Sequence, residues 1–301
     1  MTVGGLVSRY QSPGRGLLAR IENAIANCET LRTVRRATLS RLPFPVLASD
    51  VRSVLYANWL IPVEAVAGWV PEGVELETFD DKVVLTVLSY RHGSFGPAFL
   101  GPLRRMFPSP RQSNWRLYVR RVHGRTPERA TVLFLGNVFD SALYALGVRL
   151  VSDVMLSHRA GRFDLEDTEE RIRLSITGPG SAPELSLAAV RTANGRLPAA
   201  FEAAFGGWGR AMGALTLQDT AIAPLVGGEG LASADIDLPI ALESIVPLTL
   251  THFEPGAALT AFGATEPPFC FLVPEVPFRV LGERIIRRSS AAPAARPDRT
   301  G

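Results

Sequence analysis

The chain has 301 residues, of which 47% are hydrophobic and 20% are charged, and its formal net charge is +3. This composition is typical of a globular protein with a large core and excludes a disordered or collagen-like chain. The basic residues are scattered, without a basic helix or a basic stripe interleaved with aromatic residues, so no nucleic-acid partner is expected. No stretch approaches 18 consecutive apolar residues, so no membrane-spanning segment is expected.

The first predicted element is a helix from Gly16 to about Leu42. Its polar side carries residues such as Glu22 and Asn27, and apolar residues recur at helical spacing on the other side. These are Leu17, Leu18, Ile21, Ala24, Ile25, Cys28 and Leu31. We expect the apolar side to pack on the outside of the main domain or on a partner subunit, which leaves a homo-oligomer open.

Residues 61–91 carry the most informative pattern in the chain. A short helical pattern from Val63 to Val70 is broken at Pro71, and an extended segment then leads to a polar turn at residues 80–82. Val83 to Tyr90 is apolar on both faces, which is typical of a strand covered on two sides. A glycine- and proline-rich loop follows at residues 94–111. It is interpreted either as a flap over an apolar pocket or as a loop packed on its own side chains.

Alternation predicts the next strands. From Asn114 to Val122, Trp115, Leu117 and Val119 lie on one face and polar residues lie on the other. Thr131 to Val138 is the expected antiparallel partner. Asp140 is the expected N-cap of the helix that follows. Two further segments, 171–177 and 185–190, are predicted to form a hairpin.

Three segments, in this order, resemble a known family. They are V-P-E-G-V-E-L at residues 70–76, N-W-R-L-Y-V at 114–119 and F-L-G-N-V-F-D-S at 134–141. They are similar to the YqjF-like family, an uncharacterised bacterial family related to acetoacetate decarboxylase. The resemblance implies an α+β fold with an antiparallel β-barrel or cone of the acetoacetate decarboxylase-like type, peripheral helices and an added N-terminal helix. The expected parts are a helical extension (1–45), the barrel domain (46–288) and a tail (289–301) that is disordered by composition.

This chain has no lysine in the position or environment of the Schiff-base lysine of acetoacetate decarboxylases. Acetoacetate decarboxylases activate theirs with a cationic neighbour and an apolar site. The only lysine here, Lys82, follows Asp80 and Asp81, which is the opposite environment. Residues 150–159, where the nucleophile of the family would fall, contain no lysine, and arginine stays protonated and forms no imine. Decarboxylation through an imine is therefore not expected.

One polar strand face is the best candidate for a binding site. If it points into a barrel, Asn114, Arg116 and Tyr118 converge on the cavity, and Arg91 at the end of the preceding strand adds a second cation. These groups would hold a carboxylate or an enolate oxygen through charge-assisted hydrogen bonds. The alternative is the exposed polar face of a half-covered strand.

No catalytic residue can be assigned from the sequence. Gln112 stands where relatives carry an acid, and Gln218-Asp219 replaces their charged pair. The remaining carboxylates that could exchange a proton are Glu75, Glu77, Asp140 and Asp153.

The resulting hypothesis is a cytoplasmic protein that binds a small, partly apolar, anionic metabolite in a barrel cavity. Its enzymatic form is a lyase or hydratase without a Schiff-base lysine, and its alternative is a non-catalytic ligand-binding or protein-interaction module. Two cysteines without a signal peptide fit the reducing cytoplasm. No cofactor and no metal are expected, because the histidines are dispersed, at positions 92, 123, 158 and 252.

Overall fold

The computed structural model describes residues 9–39 and 44–287 and consists mostly of β-sheet with helices at its periphery. The predicted tail at residues 289–301 and the predicted helix end near Leu42 lie outside the described residues. Within those two ranges, no helix is long and apolar enough to cross a membrane.

The strands of the described ranges are numbered in chain order. They are β1 (Leu47–Pro62), β2 (Val74–Leu76), β3 (Thr78–Phe79), β4 (Lys82–Arg91), β5 (Gly96–Pro97), β6 (Arg111–Val122), β7 (Thr131–Phe139), β8 (Ser157–Arg159), β9 (Arg162–Asp167), β10 (Arg171–Thr177), β11 (Leu185–Arg191), β12 (Thr220–Pro224), β13 (Leu231–Asp237), β14 (Val246–Pro255) and β15 (Phe269–Ile286). The α-helices are α1 (Gly16–Ala26), α2 (Glu29–Leu39), α3 (Val63–Val66), α4 (Ala142–Val151), α5 (Ala199–Phe205), α6 (Trp208–Thr216) and α7 (Ala257–Ala261), and 3₁₀ turns cover Ala67–Trp69, Ala98–Met106 and Leu242–Ser244.

Seven strands pair in a circle, which we call the strand ring. Their order is β1-β4-β6-β7-β12-β13-β15, and β15 pairs with β1 as well as with β13. Six of the seven pairings are antiparallel, but β7 and β12 run parallel over residues 131–133 and 220–222. The expectation of a purely antiparallel sheet is wrong at this point, because the chain returns to β7 through a long excursion that includes α4 to α6 instead of through a hairpin.

The sequence pattern correctly locates β4 and β6. Every residue from Val83 to Tyr90 is buried, as expected for a strand covered on both faces. Strand β6 pairs with β4 and β7 and alternates as predicted, with Trp115 and Leu117 in the largest hydrophobic cluster. The predicted hairpin of β10 and β11 is also present, with six residue pairs.

The two faces of the strand ring lie in different cores. One face packs against the second sheet, formed by β9, β10, β11 and β14, as shown by Trp59 and Trp115 in one cluster with Leu174 and Leu187. The opposite face carries Tyr56 and Phe271 and packs against α5 and α6. Because side chains alternate along a strand, residues of β1, β4, β6 and β15 contribute to both cores.

The N-terminal extension differs from the predicted single helix in two ways. It is broken between α1 and α2 at Asn27, whose side-chain amide hydrogen-bonds the backbone of Tyr10 and Asn23. Its apolar side also does not pack on the main domain, since Leu17 and Leu18 are 72% and 75% exposed, so packing of this side on a partner subunit stays a prediction. The polar side makes the contacts instead. Glu22 accepts hydrogen bonds from Tyr10 and Ser12 and pairs with Arg159 at 3.0 Å.

Two smaller expectations also need correction. Ser141, and not Asp140, occupies the N-cap position of α4, and Asp140 accepts a hydrogen bond from Arg111 at 3.4 Å. The loop at residues 94–111 contains β5 and a 3₁₀ segment. Phe95 is buried, but Phe99 and Met106 are 79% and 82% exposed.

Candidate functional site

The candidate site is a cavity of about 60 Å³ on the face of the strand ring that also carries Tyr56. Most of its wall is apolar and includes Val51, Leu88 and Phe134. The remainder is formed by polar or ionisable side chains, which are Tyr56, Tyr90, Gln112, Asn114, Arg116, Gln218 and Glu283. An apolar wall with a few convergent polar groups is the usual composition of a small-molecule site. No residue of the loop at 94–111 lines this cavity. Arg111, the last residue of that segment, donates to Asp140 and to the Phe163 carbonyl.

Arg116 is the cation of this cavity. Its side chain is buried, and its Nη2 donates to the Leu215 carbonyl and to Gln218 Oε1, each at 2.8 Å. Its guanidinium carbon lies 5.6 Å from the ring centres of Tyr56 and Tyr118. Within the described residues Arg116 forms no salt bridge, so a permanently charged group is held in the interior by neutral acceptors, two aromatic rings and the C-terminal end of α6.

Several polar atoms of the cavity wall have no hydrogen-bond partner within the described part of the chain. They are Arg116 Nε, Asn114 Oδ1 and the Tyr56 hydroxyl oxygen. Most buried polar atoms in proteins are paired with protein or water, and an unpaired group needs an explanation. Burial raises the pKa of Tyr56 and of Tyr90, which keeps both phenols neutral and able to donate. Two of these unpaired atoms, Arg116 Nε and the Tyr56 hydroxyl, are donors that suit an anion, whereas Asn114 Oδ1 is an acceptor.

A neutral hydrogen-bond network holds the amide groups beside Arg116. Gln112 and Asn114 both donate to Asn137 Oδ1, at 3.0 and 2.9 Å. His92 Nε2 lies 2.8 Å from Gln112 Oε1, and burial lowers the pKa of His92 to about 4. The histidine is therefore neutral at pH 7, and because Gln112 Oε1 can only accept, Nε2 carries its proton. This network fixes the orientation of the Gln112 side chain in the cavity wall.

Glu283 is the one carboxylate among the residues that line the cavity in the described ranges. The Ser152 hydroxyl and the Asp153 backbone N–H donate to its two oxygens. Burial raises its pKa above the ordinary value of a glutamate, against the opposing effect of the hydrogen bond from Ser152. Glu283 is not among the residues predicted from the sequence, since it lies near the end of β15, more than 100 residues beyond the motifs that carry the family resemblance.

The predicted site residues separate into two groups. Asn114 and Arg116 line the cavity, and Tyr118 lies behind Arg116, where its hydroxyl donates to the same Leu215 carbonyl at 2.9 Å. Arg91 lies on the opposite face of β4 from Tyr90, is exposed, and donates to the Leu165 carbonyl at 3.4 Å. The structure thus does not bring Arg91 to the other three residues. An arginine one residue earlier would have faced the cavity.

The carboxylates proposed from the sequence lie outside the cavity wall. Glu75 pairs with Arg120 at 3.1 Å on the surface, and Asp153 pairs with Arg35 at 2.6 Å behind Glu283. Gln112 lines the cavity, and so does Gln218 but not Asp219 of the pair for which the resemblance implies charged residues in relatives. Within the described residues, no group of three or more His, Cys, Asp or Glu side chains is arranged to hold a metal ion.

Comparison with known proteins identifies the family. The DUF2071 family model, described as an uncharacterized conserved protein, matches residues 49–203, which is more than half of the chain. The chain belongs to this family. The match covers β1 to β11 and therefore includes Asn114 and Arg116, but not Gln218 or Glu283. No curated protein matches the sequence.

Solved structures with a similar fold include an acetoacetate decarboxylase, an acetoacetate decarboxylase-like enzyme and an enduracididine biosynthesis enzyme. An acetoacetate decarboxylase-like enzyme from Sphingomonas wittichii RW1 matches 81% of this chain and 94% of its own, with a TM-score of 0.56 and 12% identity. The enduracididine biosynthesis enzyme MppR with bound HEPES buffer matches 81% and 88%, with a TM-score of 0.55 and 13% identity. Acetoacetate decarboxylase from Legionella pneumophila subsp. pneumophila str. Philadelphia 1 matches 81% and 88%, with a TM-score of 0.50 and 11% identity. At these identities the likeness shows the fold alone.

Proposed function

We propose that this protein binds a small, partly apolar, anionic metabolite in the cavity, with the strand ring acting as a β-barrel around it. The observation that carries the proposal is Arg116, a buried guanidinium without a carboxylate partner in the described residues, which faces the cavity beside unpaired polar atoms. An incoming carboxylate would supply the missing counter-charge. MppR, a structural neighbour, has been solved in complex with pyruvate, which is a small carboxylate.

The charge of the ligand can be tested with a matched pair of probes, pentanoate and pentanamide. They have the same carbon chain, but only pentanoate can form a charge-assisted bond with Arg116. We expect isothermal titration calorimetry to show tighter binding of pentanoate by roughly 10- to 150-fold, which corresponds to about 1.5–3 kcal/mol. Equal affinity for the acid and the amide would contradict the proposal. Native mass spectrometry of the protein as purified then identifies a bound natural anion directly.

A second candidate, a lyase or hydratase that acts without an imine, is supported by Glu283. The cavity wall contains both a cation and an ionisable carboxyl group. In its ionised form the Glu283 carboxylate would take a proton from a carbon beside a carbonyl and become protonated, while Arg116 holds the anionic end. After exchange with solvent, the carboxyl group would return a proton to the same carbon and be ionised again. This candidate goes beyond binding and has its own test.

We expect deuterium exchange without an imine when 4-oxopentanoate is incubated with the protein in D₂O. Proton NMR should show loss of signal at the carbons beside the ketone, and borohydride should leave no reduced adduct. Lys82, the only lysine, is exposed at the start of β4 and does not line the cavity. An adduct at Lys82 that disappears in Lys82→Arg would contradict the absence of an imine. A lack of exchange would leave the non-catalytic binding protein as the function.

A further inference from the structure

A continuous set of polar contacts joins helix α2 to the wall of the cavity. Arg35 and Arg36 both bind the Asp153 carboxylate, at 2.6 and 2.8 Å. The backbone N–H of Asp153 donates to one oxygen of Glu283 at 3.2 Å, and the neighbouring Ser152 hydroxyl donates to the other oxygen. Two hydrogen bonds on two different oxygens fix both the position and the rotation of the Glu283 carboxyl group.

Asp153 lies next to Glu283, and Arg35 and Arg36 pair with Asp153. Burial raises the pKa of Glu283, the charge of Asp153 raises it further, and Arg35 lowers it. Burial also acts to raise the pKa of Asp153, but hydrogen bonds from Arg36 and Arg35 outweigh it and hold that pKa below its ordinary value. Asp153 therefore remains ionised at neutral pH, and Glu283 keeps its proton to a higher pH than an exposed glutamate does.

Two other neighbours of Glu283 carry no charge. Its partner on β13 is Ala234, and Met155 from the segment after α4 also lines the cavity. The next residue of β15, Arg284, points to the opposite face and pairs with Asp235 at 2.6 Å. Arg284 therefore provides a matched control: a cation next to Glu283 in sequence that takes no part in the contacts with α2.

Glu283 and Arg116 stand on different walls of the cavity. Arg116 belongs to β6 and Glu283 to β15, and these strands are separated in the ring by β1 and β4 on one side and by β7, β12 and β13 on the other. No ion pair joins the two side chains within the described residues, although both line the same cavity. A ligand between them would meet a permanent cation at one end and a carboxyl group at the other.

We propose that α2 contributes to this site. Arg35 and Arg36, acting through Asp153, position the carboxyl group of Glu283 and control its ionisation, so that it hydrogen-bonds a second oxygen of the ligand. This inference rests on the proposed function and narrows the ligand class. The ligand is a carboxylate with a carbonyl oxygen several bonds from its carboxylate end and a short apolar segment between them. Glu283 is the donor to that carbonyl while it is protonated, and it loses this ability when it ionises.

Two measurements on the full chain test the inference. The first is an NMR titration of ¹³C-labelled Glu283 in the free protein. Arg35→Gln removes a positive charge and should raise the pKa of Glu283. Asp153→Asn removes a negative charge and should lower it. Arg284→Gln should leave it unchanged. A role of these residues in anchoring α2 alone would not give shifts of opposite sign.

The second measurement compares 4-oxopentanoate with pentanoate by calorimetry over a range of pH. The wild type should prefer 4-oxopentanoate by roughly fivefold, the value of one hydrogen bond, and the preference should fade as pH rises through the pKa of Glu283. Glu283→Gln should lose the pH dependence of this preference. The midpoint should move up in Arg35→Gln and down in Asp153→Asn.

The outcomes separate the inference from the function on which it rests. If the wild type fails to bind pentanoate, the proposed function is contradicted. If pentanoate binds but 4-oxopentanoate shows no preference that changes with pH, the two-ended site is contradicted while the anion site stands. If the pKa of Glu283 responds in neither Arg35→Gln nor Asp153→Asn, the role of α2 is contradicted.

Discussion

Replacement of Arg116 by methionine should lower the affinity for pentanoate by roughly 10- to 150-fold, as expected for the loss of about 1.5–3 kcal/mol from a charge-assisted contact. The free protein should nevertheless be at least as stable as the wild type. A buried charge without an opposite charge beside it carries a desolvation cost of several kcal/mol, and an apolar side chain of similar length removes that cost. The Leu215 carbonyl keeps its hydrogen bond from Tyr118 in this variant.

The measurements are urea unfolding without ligand and calorimetry with pentanoate. Arg120→Met is the matched control, because Arg120 lies four residues further along β6 but is exposed and paired with Glu75. It should change neither the affinity nor the stability by much, since exposed ion pairs contribute at most about 1 kcal/mol. If Arg116→Met unfolds far more easily than the wild type, Arg116 is a structural cap of α6 and not a ligand-binding residue.

Replacement of Trp115 by alanine should reduce the free energy of unfolding by roughly 3–5 kcal/mol, the range for large aromatic residues in a packed core. The side chain is 2% exposed and lies in the cluster between the strand ring and the second sheet. Its indole Nε1 has no hydrogen-bond partner within the described residues, so its contribution comes from packing. Pentanoate binding should be retained in the folded fraction, since Trp115 faces away from the cavity.

Chemical denaturation monitored by circular dichroism measures this effect. Trp115→Phe should lose much less stability than Trp115→Ala, because a phenyl ring fills most of the space and no hydrogen bond is given up. Phe99→Ala is the control at an aromatic residue that is 79% exposed. A small loss at Trp115 combined with a large loss at Arg116 would mean that the two faces of β6 have been assigned the wrong way round.

The sequence predicts those strands whose residues follow one simple pattern of burial. Strand β4 is recognisable because both of its faces are buried, and β6 because its faces alternate between apolar and polar residues. Strand β1 shows neither pattern clearly. Its register with β4 shifts between Arg52 and Leu55, and Ser53 has a positive φ of 54°, so the alternation is interrupted in the middle of the strand.

The N-terminal helices show what hydrophobic periodicity leaves out. The pattern predicts an apolar packing face with Leu17, Leu18 and Ile21, and within this chain ion pairs from the polar side attach α1 and α2 to the domain instead. Periodicity records where apolar residues lie on a helix and not which partners its polar groups find. Only tertiary structure supplies the partners Tyr10, Arg159 and Asp153.

The candidate site could be predicted in part for a similar reason. Asn114 and Arg116 belong to one strand, so a single alternation pattern places both on one face. Arg91 does not reach the cavity because it lies one residue after Tyr90 on β4 and therefore on the opposite face. Glu283 reaches the cavity because β15 pairs with β13, and no local sequence pattern predicts this pairing. The order of strands in the sheet makes residues that are distant in the chain neighbours. This order cannot be predicted from the local patterns of a single sequence.

Because β1 pairs with β15, the cavity can close only late in synthesis. Leu47 pairs with Val280, so strands from opposite ends of the domain must meet to complete the ring. Contacts between such distant segments form late, because the entropy of closing a long loop is lost before the contacts compensate for it. A nascent chain on the ribosome can build β4, β6 and β7 early, but it has no enclosed site until β15 has emerged. Glu283 lies on β15, so this acidic wall is made after the strands that carry Tyr90, Asn114 and Arg116.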